Sequence, residues 1–180
     1  MVVIRFTAKD GSELLFREPM SNDAPMLMRF INAFVDESKS GLMISRKVTL
    51  AQEKAWLKDR LAAIKNRKCV MLTVEKDGMI VGNCDASRLT GKSSHVAEIG
   101  IALSKDIRGI GVGEGLMSST IELAGKRMRG LEMMYLKAFD YNDRACALYK
   151  KLGFVEVGRI PKANKEGPKY FDDVLMVKSL

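Results

Sequence analysis

The sequence has few cysteines, a single histidine and no long uninterrupted apolar run. Its three cysteines, Cys69, Cys84 and Cys146, are widely spaced and odd in number, which argues against a disulfide framework and against a zinc site. His95 is the one histidine, so a catalytic cysteine would have a single candidate base. The spacing between the cysteines and His95 matches no known cysteine-nucleophile signature. No segment approaches the roughly 18 consecutive apolar residues that a membrane helix requires. We therefore expect neither a metal site nor a membrane span.

The composition is that of an ordinary globular protein. Of 180 residues, 47% are hydrophobic and 29% are charged, which is far from a disordered composition. A chain of this length can bury roughly 70% of its unfolded surface in one core. There is no internal repeat and no linker, and the N-terminal stretch lacks the apolar region of a signal peptide. We expect one domain, residues 1–180, in the cytoplasm.

The chain is basic, with a formal net charge of +8 and an isoelectric point near 9.4. Nucleic acid, an acidic protein surface or a polyphosphate ligand would each suit this charge. The basic residues are spread along the chain, and their few clusters are not interleaved with the aromatic residues that single-strand binding uses. A solvated basic surface therefore explains the charge as well, and nucleic-acid binding rests on charge alone.

The hydrophobic periodicity predicts a mixed α/β domain whose sheet is covered by helices on both faces. Asp77-Gly78 between two strand patterns indicates a hairpin, and Thr49 with Gln52 forms a capping box before a helix. Strands are predicted at residues 2–6, 13–17, 70–74, 79–85, 96–103, 133–139, 154–159 and 170–177. Helices are predicted to begin at 22–25 and after Thr49, and to span 111–128 and 143–152.

The strand at residues 96–103 and the glycines that follow it are the most informative segment. Its two faces carry Ile99, Ile101 and Leu103 on one side and Glu98, Gly100 and Ala102 on the other. On the second face, Gly100 and Ala102 are small enough for an extended ligand to lie close to the backbone.

Four glycines then alternate along residues 109–115 at the start of a helix. Each costs about 1 kcal/mol relative to alanine where the backbone is helical, so the run requires a compensating role. Unobstructed N–H groups at a helix N-terminus bind anions, and Arg108 at the entrance offers a side chain suited to phosphate. The pattern therefore indicates a pyrophosphate site.

Two better-known phosphate motifs do not fit this segment. A Walker loop ends in Gly-Lys-Ser/Thr, which is absent, and a dinucleotide fingerprint has the spacing G-x-G-x-x-G after the first strand of a βαβ unit. This run reads G-x-G-x-G-x-G and follows a strand in mid-chain. A flexible turn without a ligand stays open as the plain structural alternative.

The segment resembles a known family. Arg108-x-x-Gly111-x-Gly113 matches the Arg/Gln-x-x-Gly-x-Gly/Ala signature of the GNAT acyltransferase superfamily, between the strand and the helix where that family has it. A second block, from Asn142 to Phe154, resembles the Asn-x-x-Ala-x-x-Leu-Tyr-x-x-x-Gly-Phe element of the same family. The resemblance covers roughly residues 70–177. It implies a single-domain fold with a mixed, mostly antiparallel sheet of about seven strands.

The resemblance also implies acetyl-CoA as the acyl donor. The backbone that would bind its pantetheine arm belongs to Ile101, Ala102 and Leu103. The amides that would bind its pyrophosphate belong to Arg108, Gly109, Ile110, Gly111, Val112 and Gly113. Asn142 would contact the cofactor arm and Tyr149 would lie near the thioester sulfur, although Asn142 could instead cap a helix and Tyr149 could pack in the core. The two residues are seven apart, so one ligand could reach both on a shared helix face.

The chemistry that the resemblance implies is direct attack of a neutral amine on the thioester in a ternary complex. A lysine-like amine has a pKa near 10.4 and must lose a proton first, so a carboxylate is expected as the base, directly or through water. Glu98 is the first candidate and Asp85 the second, while a strand-end ion pair would explain Glu98 without catalysis. Tyr149 would donate its proton or a hydrogen bond to the leaving sulfur.

The acceptor is less constrained. The resemblance places the acceptor walls at residues 36–47 and 161–169, and the second segment could equally be a polar connector. A small amine, an amino acid and a peptide N-terminus all stay open as acceptors, as does a homodimer, although no dimer patch is evident. The rival interpretation is a non-catalytic acetyl-CoA-binding sensor or regulatory module.

Overall fold

The computed structural model describes residues 1–37 and 46–180. The described strands are β1 Val3–Thr7, β2 Glu13–Arg17, β3 Cys69–Lys76, β4 Met79–Arg88, β5 Val96–Leu103, β6 Met133–Phe139, β7 Val155–Glu166 and β8 Lys169–Ser179. The described helices are α1 Ala24–Val35, α2 Leu50–Lys65, α3 Val112–Arg127 and α4 Asp143–Lys151, with short 3-10 turns at Gly91–Ser93 and Lys105–Ile107.

All eight strands form one sheet, in the order β1-β2-β3-β4-β5-β6-β8-β7. Every neighbouring pair is antiparallel except β5 and β6, which run parallel. The mixed, mostly antiparallel sheet that the resemblance implied is confirmed, with eight strands in place of about seven.

The parallel pairing of β5 with β6 is short. It joins Val96 to Met133, Ala97 to Met134 and Glu98 to Tyr135, and then the two strands part. On its other side β5 stays paired with β4 as far as Leu103. The end of β5 therefore has a strand neighbour on one side and an opening on the other.

The helices divide between the two faces of the sheet, as the periodicity predicts. On one face α3 and α4 pack on a core that includes Leu116, Met117, Cys84, Ile99 and Met134. On the opposite face α1 and α2 cover a smaller core that includes Phe30, Phe34, Leu57, Met71 and Ala102. Beside this smaller core, residues of α1, α2, β4, β5 and β6 enclose the polar cavity described below.

Local chemistry determines the start of α2, and an ion pair with a strand determines the start of α1. Thr49 and Gln52 form the expected capping box of α2. At α1 the N-cap is Asp23, which makes no side-chain cap. Its buried carboxylate instead accepts two hydrogen bonds from Arg17, at 2.7 and 2.9 Å, and one from the Met20 amide. An ion pair between β2 and α1 thus replaces the cap.

The polar segment at 161–169 is not a loop, which corrects the connector interpretation. Residues 161–166 continue β7, and Lys169 already begins β8. The pairing shifts register between Ile160 and Asn164, where Lys162 has a φ of +54°. Pro161 is tolerated there because β7 is an edge strand and its missing N–H breaks no internal ladder. Of the other predicted acceptor wall, residues 38–45 lie outside the described residues.

Candidate active site

Two cavities meet where β5 and β6 part. The glycine-loop cavity, of about 480 Å³, lies between the end of β5, the residue 108–113 loop and α4. The Arg60 cavity, of about 590 Å³, lies over β4 and β5 beside α2. The residues that line both are Ile101, Ala102, Lys137, Ala138, Phe139 and Tyr149.

The glycine loop presents a run of backbone donors. Gly109 and Gly111 have φ values of +84° and +91°, a conformation that favours glycine, and α3 begins directly after Gly111. The first helical hydrogen bond runs from the Gly115 amide to the Gly111 carbonyl. Among the described residues, none accepts a hydrogen bond from the amides of residues 109–114. Such a run at a helix N-terminus suits an anion.

Two basic side chains flank these amides. A Cβ built on Gly109 would lie 2.6 Å from Arg144 Nη2, and one built on Gly111 would lie 3.5 Å from Lys9 Cε. The Lys9 amide also donates to the Ile110 carbonyl at 2.9 Å, which attaches the β1–β2 turn to the loop. Sequence reasoning assigned no role to either side chain, although Arg144 is two residues after Asn142 in the second family block.

Arg108, predicted to flank a phosphate, makes a set of contacts that the sequence did not indicate. Its Nε donates to the Leu103 carbonyl at 2.7 Å, and its two terminal nitrogens bind the carboxylate of Glu37 at 2.6 and 2.9 Å. The guanidinium also lies 5.1 Å from the centre of the Phe34 ring, and the Arg108 amide donates to Lys105. The side chain lines the cavity but already has an anionic partner, so it serves to attach the loop to α1.

The remaining loop residues have packing roles. A Cβ on Gly115 would lie 2.3 Å from the Phe6 ring, so this glycine is required by the contact between α3 and β1. At Gly113 the nearest atoms, on Leu103 and Leu148, are 3.3 Å away. Val112 is fully buried, Ile110 packs against the same core, and neither lines the cavity. Both can contribute backbone amides only.

Asn142 is the N-cap of α4, where its Oδ1 accepts from the Ala145 amide at 3.2 Å. The capping role weighed for Asn142 is therefore confirmed. The same side chain lines the glycine-loop cavity beside Ile101, Ala102 and Leu103. Capping thus places the Asn142 side chain where a ligand could contact it.

Tyr149 lies at the junction of the two cavities. It belongs to the α3–α4 core, with 7% of its surface exposed, and its ring meets Phe154 edge-on at 6.2 Å. Burial raises the pKa of the Tyr149 phenol above its ordinary value, so the hydroxyl stays protonated at neutral pH. Core packing and a position in the cavity coexist in this residue.

The Arg60 cavity has a polar floor formed by two paired strands. Asp85 of β4 is directly opposite Gly100 of β5, and Ser87 is opposite Glu98. A Cβ built on Gly100 would meet no atom within 4 Å, so the space above it is open. Asn83 and Asp173 complete the polar lining, and Trp56 and Ile31 add apolar walls.

Both candidate bases line this cavity with Tyr149. Glu98 is exposed and is the parallel neighbour of Tyr135. Burial, and to a smaller extent the Glu98 charge, raises the pKa of the Tyr135 phenol. Asp85 pairs with Arg60 at 2.8 Å, yet burial raises the pKa of its carboxyl, and Glu98 adds to that shift.

Other chemistries find little support in the described chain. Burial raises the pKa of the Cys69 and Cys84 thiols, which disfavours a nucleophilic thiolate. Within residues 1–37 and 46–180, no three metal-ligating side chains cluster. No helix in that part of the chain is long and apolar enough to cross a membrane.

Comparison with known proteins decides the family. The model of the Acetyltransferase (GNAT) family matches residues 34–154, which span β5, the glycine loop and α4. The chain belongs to this family. It is therefore an acyltransferase of the GNAT fold. No curated protein matches the chain.

Solved GNAT structures share the fold over nearly the whole chain. A GNAT acetyltransferase from Streptococcus pneumoniae is 25% identical, with a TM-score of 0.82 and coverage of 93% of this chain and 99% of that one. A ribosomal-protein-alanine N-acetyltransferase from Brucella melitensis is 24% identical, with a TM-score of 0.79 and coverage of 92% and 99%. A phosphinothricin acetyltransferase from Sinorhizobium meliloti, in complex with AcCoA, is 18% identical, with a TM-score of 0.79 and coverage of 97% and 89%.

Proposed function

We propose that the protein transfers an acetyl group from acetyl-CoA to a primary amine, by direct attack of the amine while both substrates are bound. The observation that carries the proposal is a run of amides at residues 109–114 that no described residue accepts from, in a cavity that shares Tyr149 with a second, polar cavity. One cavity suits a long anionic donor and the other a small polar acceptor.

The donor is assigned to the glycine-loop cavity because its features match the chemistry of CoA. The amides from Arg108 to Gly113, other than the Arg108 amide bonded to Lys105, face a site flanked by Arg144 and Lys9, as a pyrophosphate requires. The β5 backbone from Ile101 to Leu103 has no β6 partner, so it can pair with the amide groups of the pantetheine arm. Along this path the thioester would reach the opening beside Tyr149.

The reaction needs an acceptor for the amine proton. A lysine-like ammonium has a pKa near 10.4, so a carboxylate within reach assists the loss of its proton. We assign this role to Glu98, directly or through a water, because it is exposed at the polar end of the Arg60 cavity. Asp85, already paired with Arg60, is the second candidate.

Bond formation and cleavage then balance without a further reactant. The amine nitrogen bonds to the acetyl carbon, the carbon–sulfur bond breaks, and its electron pair goes to sulfur. The second proton of the attacking nitrogen passes to that sulfur, directly or through water, so CoA leaves as the thiol. An ordinary thiol has a pKa about 1.5 units below that of a phenol, so full proton transfer from a buried tyrosine to the thiolate is uphill. We therefore assign to Tyr149 a hydrogen bond that stabilises the developing thiolate.

We also propose that residues 1–180 form one domain that acts in the cytoplasm. Both cores share the same sheet, and the chain is continuous across it from β1 to β8. The three cysteines are unpaired, which suits a reducing compartment that supplies acetyl-CoA.

The deciding experiment measures CoA release by the purified protein with acetyl-CoA and a panel of amino acids, polyamines and short peptides. Acceptor-dependent release supports the transferase. If no acceptor causes CoA release but calorimetry detects binding of acetyl-CoA, a non-catalytic sensor is favoured. Gly111→Asp places a carboxylate among the loop amides and is expected to abolish that binding, whereas normal binding by this variant would contradict the phosphate site.

A further inference from the structure

Arg60 is the most firmly positioned cation of the Arg60 cavity. Its Nη1 donates to Asp85 Oδ2 at 2.8 Å and also to the Ser87 hydroxyl. Its guanidinium lies 5.1 Å from the centre of the Trp56 ring, on the preceding turn of α2. The hydrogen bonds through Nη1 and the contact with the ring therefore restrict the orientation of the group, which lowers the entropy cost of binding a ligand.

Within residues 1–37 and 46–180, the guanidinium has donors without a partner. Its hydrogen bonds there all run through Nη1, and none of the described residues accepts from Nε or Nη2. The Arg60 side chain keeps 22% of its surface accessible, and the residue lines the cavity. An accessible edge of two parallel N–H donors matches a carboxylate, which it binds in a two-pronged manner.

The cavity is also electrically mixed. Asp85, Glu98 and Asp173 supply negative charge on the same lining, and Arg60 and Lys137 supply positive charge. The bare backbone of Gly100 is directly opposite Asp85 and lines the cavity together with Tyr149. A short ligand with an ammonium at one end and an anion at the other fits a lining of both signs better than a ligand of one sign.

We propose that the acceptor is a small amino carboxylate, whose carboxylate binds Nε and Nη2 of Arg60 while its amine points over Gly100 toward Tyr149. The inference rests on the proposed function and narrows its acceptor class. It disfavours polyamines, which carry no anion for Arg60, and peptide N-termini, whose nearest carbonyl is a neutral amide. Asp85 then acts as a positioning residue, because it holds Nη1 and leaves the other edge free.

Lys137 is the competing cation. It lines both cavities and is exposed, and its ammonium is a single strongly hydrated charge rather than a planar fork. If the acceptor's carboxylate bound Lys137, replacing Lys137 would abolish the preference for amino carboxylates over simple amines. Replacing the Arg60 guanidinium would then leave that preference unchanged. The two assignments therefore give opposite results in one experiment.

The test compares three acceptors that share one scaffold: phenylalanine, its amide and phenethylamine, each over a range of pH to correct for the amine pKa. The same comparison with amino acids of longer spacing between amine and carboxylate measures the reach of the site. We expect kcat/KM for the amino carboxylate to exceed that for the other two by about tenfold or more, since a charge-assisted pair is absent from both. Equal values, or a preference for the amide, would overturn the inference.

The variants locate the carboxylate. Arg60→Lys keeps a cation beside Asp85 but loses the fork, and Arg60→Gln loses the charge. Both are expected to reduce the ratio of kcat/KM between phenylalanine and phenethylamine toward one. Lys58→Gln removes a charge from an exposed position on the same helix, outside both cavities, and is expected to leave this ratio unchanged. A ratio lost in Lys137→Gln but kept in Arg60→Lys contradicts the assignment.

A binding measurement separates failure of this inference from failure of the proposed function. Calorimetry of phenylalanine and phenethylamine with the CoA-saturated protein requires no turnover. If phenylalanine binds, phenethylamine does not, and Arg60→Lys no longer binds phenylalanine, the carboxylate site is supported even when no amine is acetylated. Acetylation of amines without any carboxylate preference would instead support the transferase and reject the site.

Discussion

Arg108 and Glu37 form a two-pronged ion pair that joins the glycine loop to the end of α1. The two nitrogen–oxygen distances are 2.6 and 2.9 Å, and both side chains are partly buried. The pair connects the wall of one cavity with the helix that borders the other, because Phe34 and Ile31 belong to the same helix.

Breaking this pair is expected to destabilise the fold. Glu37→Gln leaves the guanidinium without its charged partner, which typically costs about 1.5–3 kcal/mol. Urea denaturation of Glu37→Gln, Arg108→Gln and the double variant gives the coupling energy. A coupling energy near zero would show that the two side chains act independently.

The glycines of α3 are expected to respond differently to alanine. At Gly111 the positive φ makes a Cβ cost about 1–2 kcal/mol, and the distorted loop should bind acetyl-CoA more weakly. At Gly125, exposed near the end of the same helix with no atom within 4 Å of a Cβ, alanine should stabilise by about 1 kcal/mol. Denaturation and calorimetry of both variants provide the comparison, and equal effects at the two positions would exclude a special conformation at Gly111.

Tyr149→Phe is expected to reduce kcat by about 10²-fold or more while the Kd for acetyl-CoA changes little, because the hydroxyl acts only as the sulfur leaves. Since burial raises the pKa of the phenol, the wild-type rate should not fall through Tyr149 ionisation below about pH 10. Single-turnover rates across pH provide the measurement. A wild-type kcat in Tyr149→Phe would remove this residue from the mechanism.

Glu98→Gln and Asp85→Asn distinguish the two candidate bases. If Glu98 accepts the proton, its variant should react about 10²-fold more slowly near neutrality while acceptor binding changes little. Asp85→Asn should mainly weaken acceptor binding, since Asp85 orients Arg60. Single-turnover rates and acceptor binding of both variants provide the measurement. The reverse pattern would assign the base to Asp85, and wild-type rates in both variants would leave the proton to water.

Arg144→Gln tests a phosphate contact that sequence reasoning did not identify. Losing one charge-assisted contact should weaken acetyl-CoA binding by about tenfold, with a smaller effect at high salt. Lys150→Gln, on the same helix but outside both cavities, is the matched control. Equal affinities in the two variants would place the phosphates away from Arg144.

Sequence patterns predicted the secondary structure well where the periodicity was strong. The capping box of α2 and the Asp77-Gly78 hairpin lie where predicted, because local chemistry determines both. The continuation of β7 through 161–166 was not predictable in the same way. Its polar residues resemble a loop, and only its pairing with β8 at the sheet edge makes it a strand.

The site was predicted in part for a similar reason. The glycine loop and Asn142 carry their conformational requirements in the sequence, so their positions agree with expectation. The ion pair of Arg108 was not predicted, because its partner Glu37 is 71 residues away and no local pattern indicates the pair. Lys9 and Arg60 reach the cavities through packing of distant elements, which periodicity does not encode.

The short parallel pairing has a consequence for cooperativity. In the described chain three residue pairs connect the five-stranded half of the sheet to the half formed by β6, β8 and β7. Acetyl-CoA bound along the end of β5 that has no β6 partner, and in contact with α4, would add a further connection between the two halves of the sheet. The free energy of opening measured by amide hydrogen exchange should therefore be lower for β6 than for β3 and β4. Saturation with acetyl-CoA should reduce that difference.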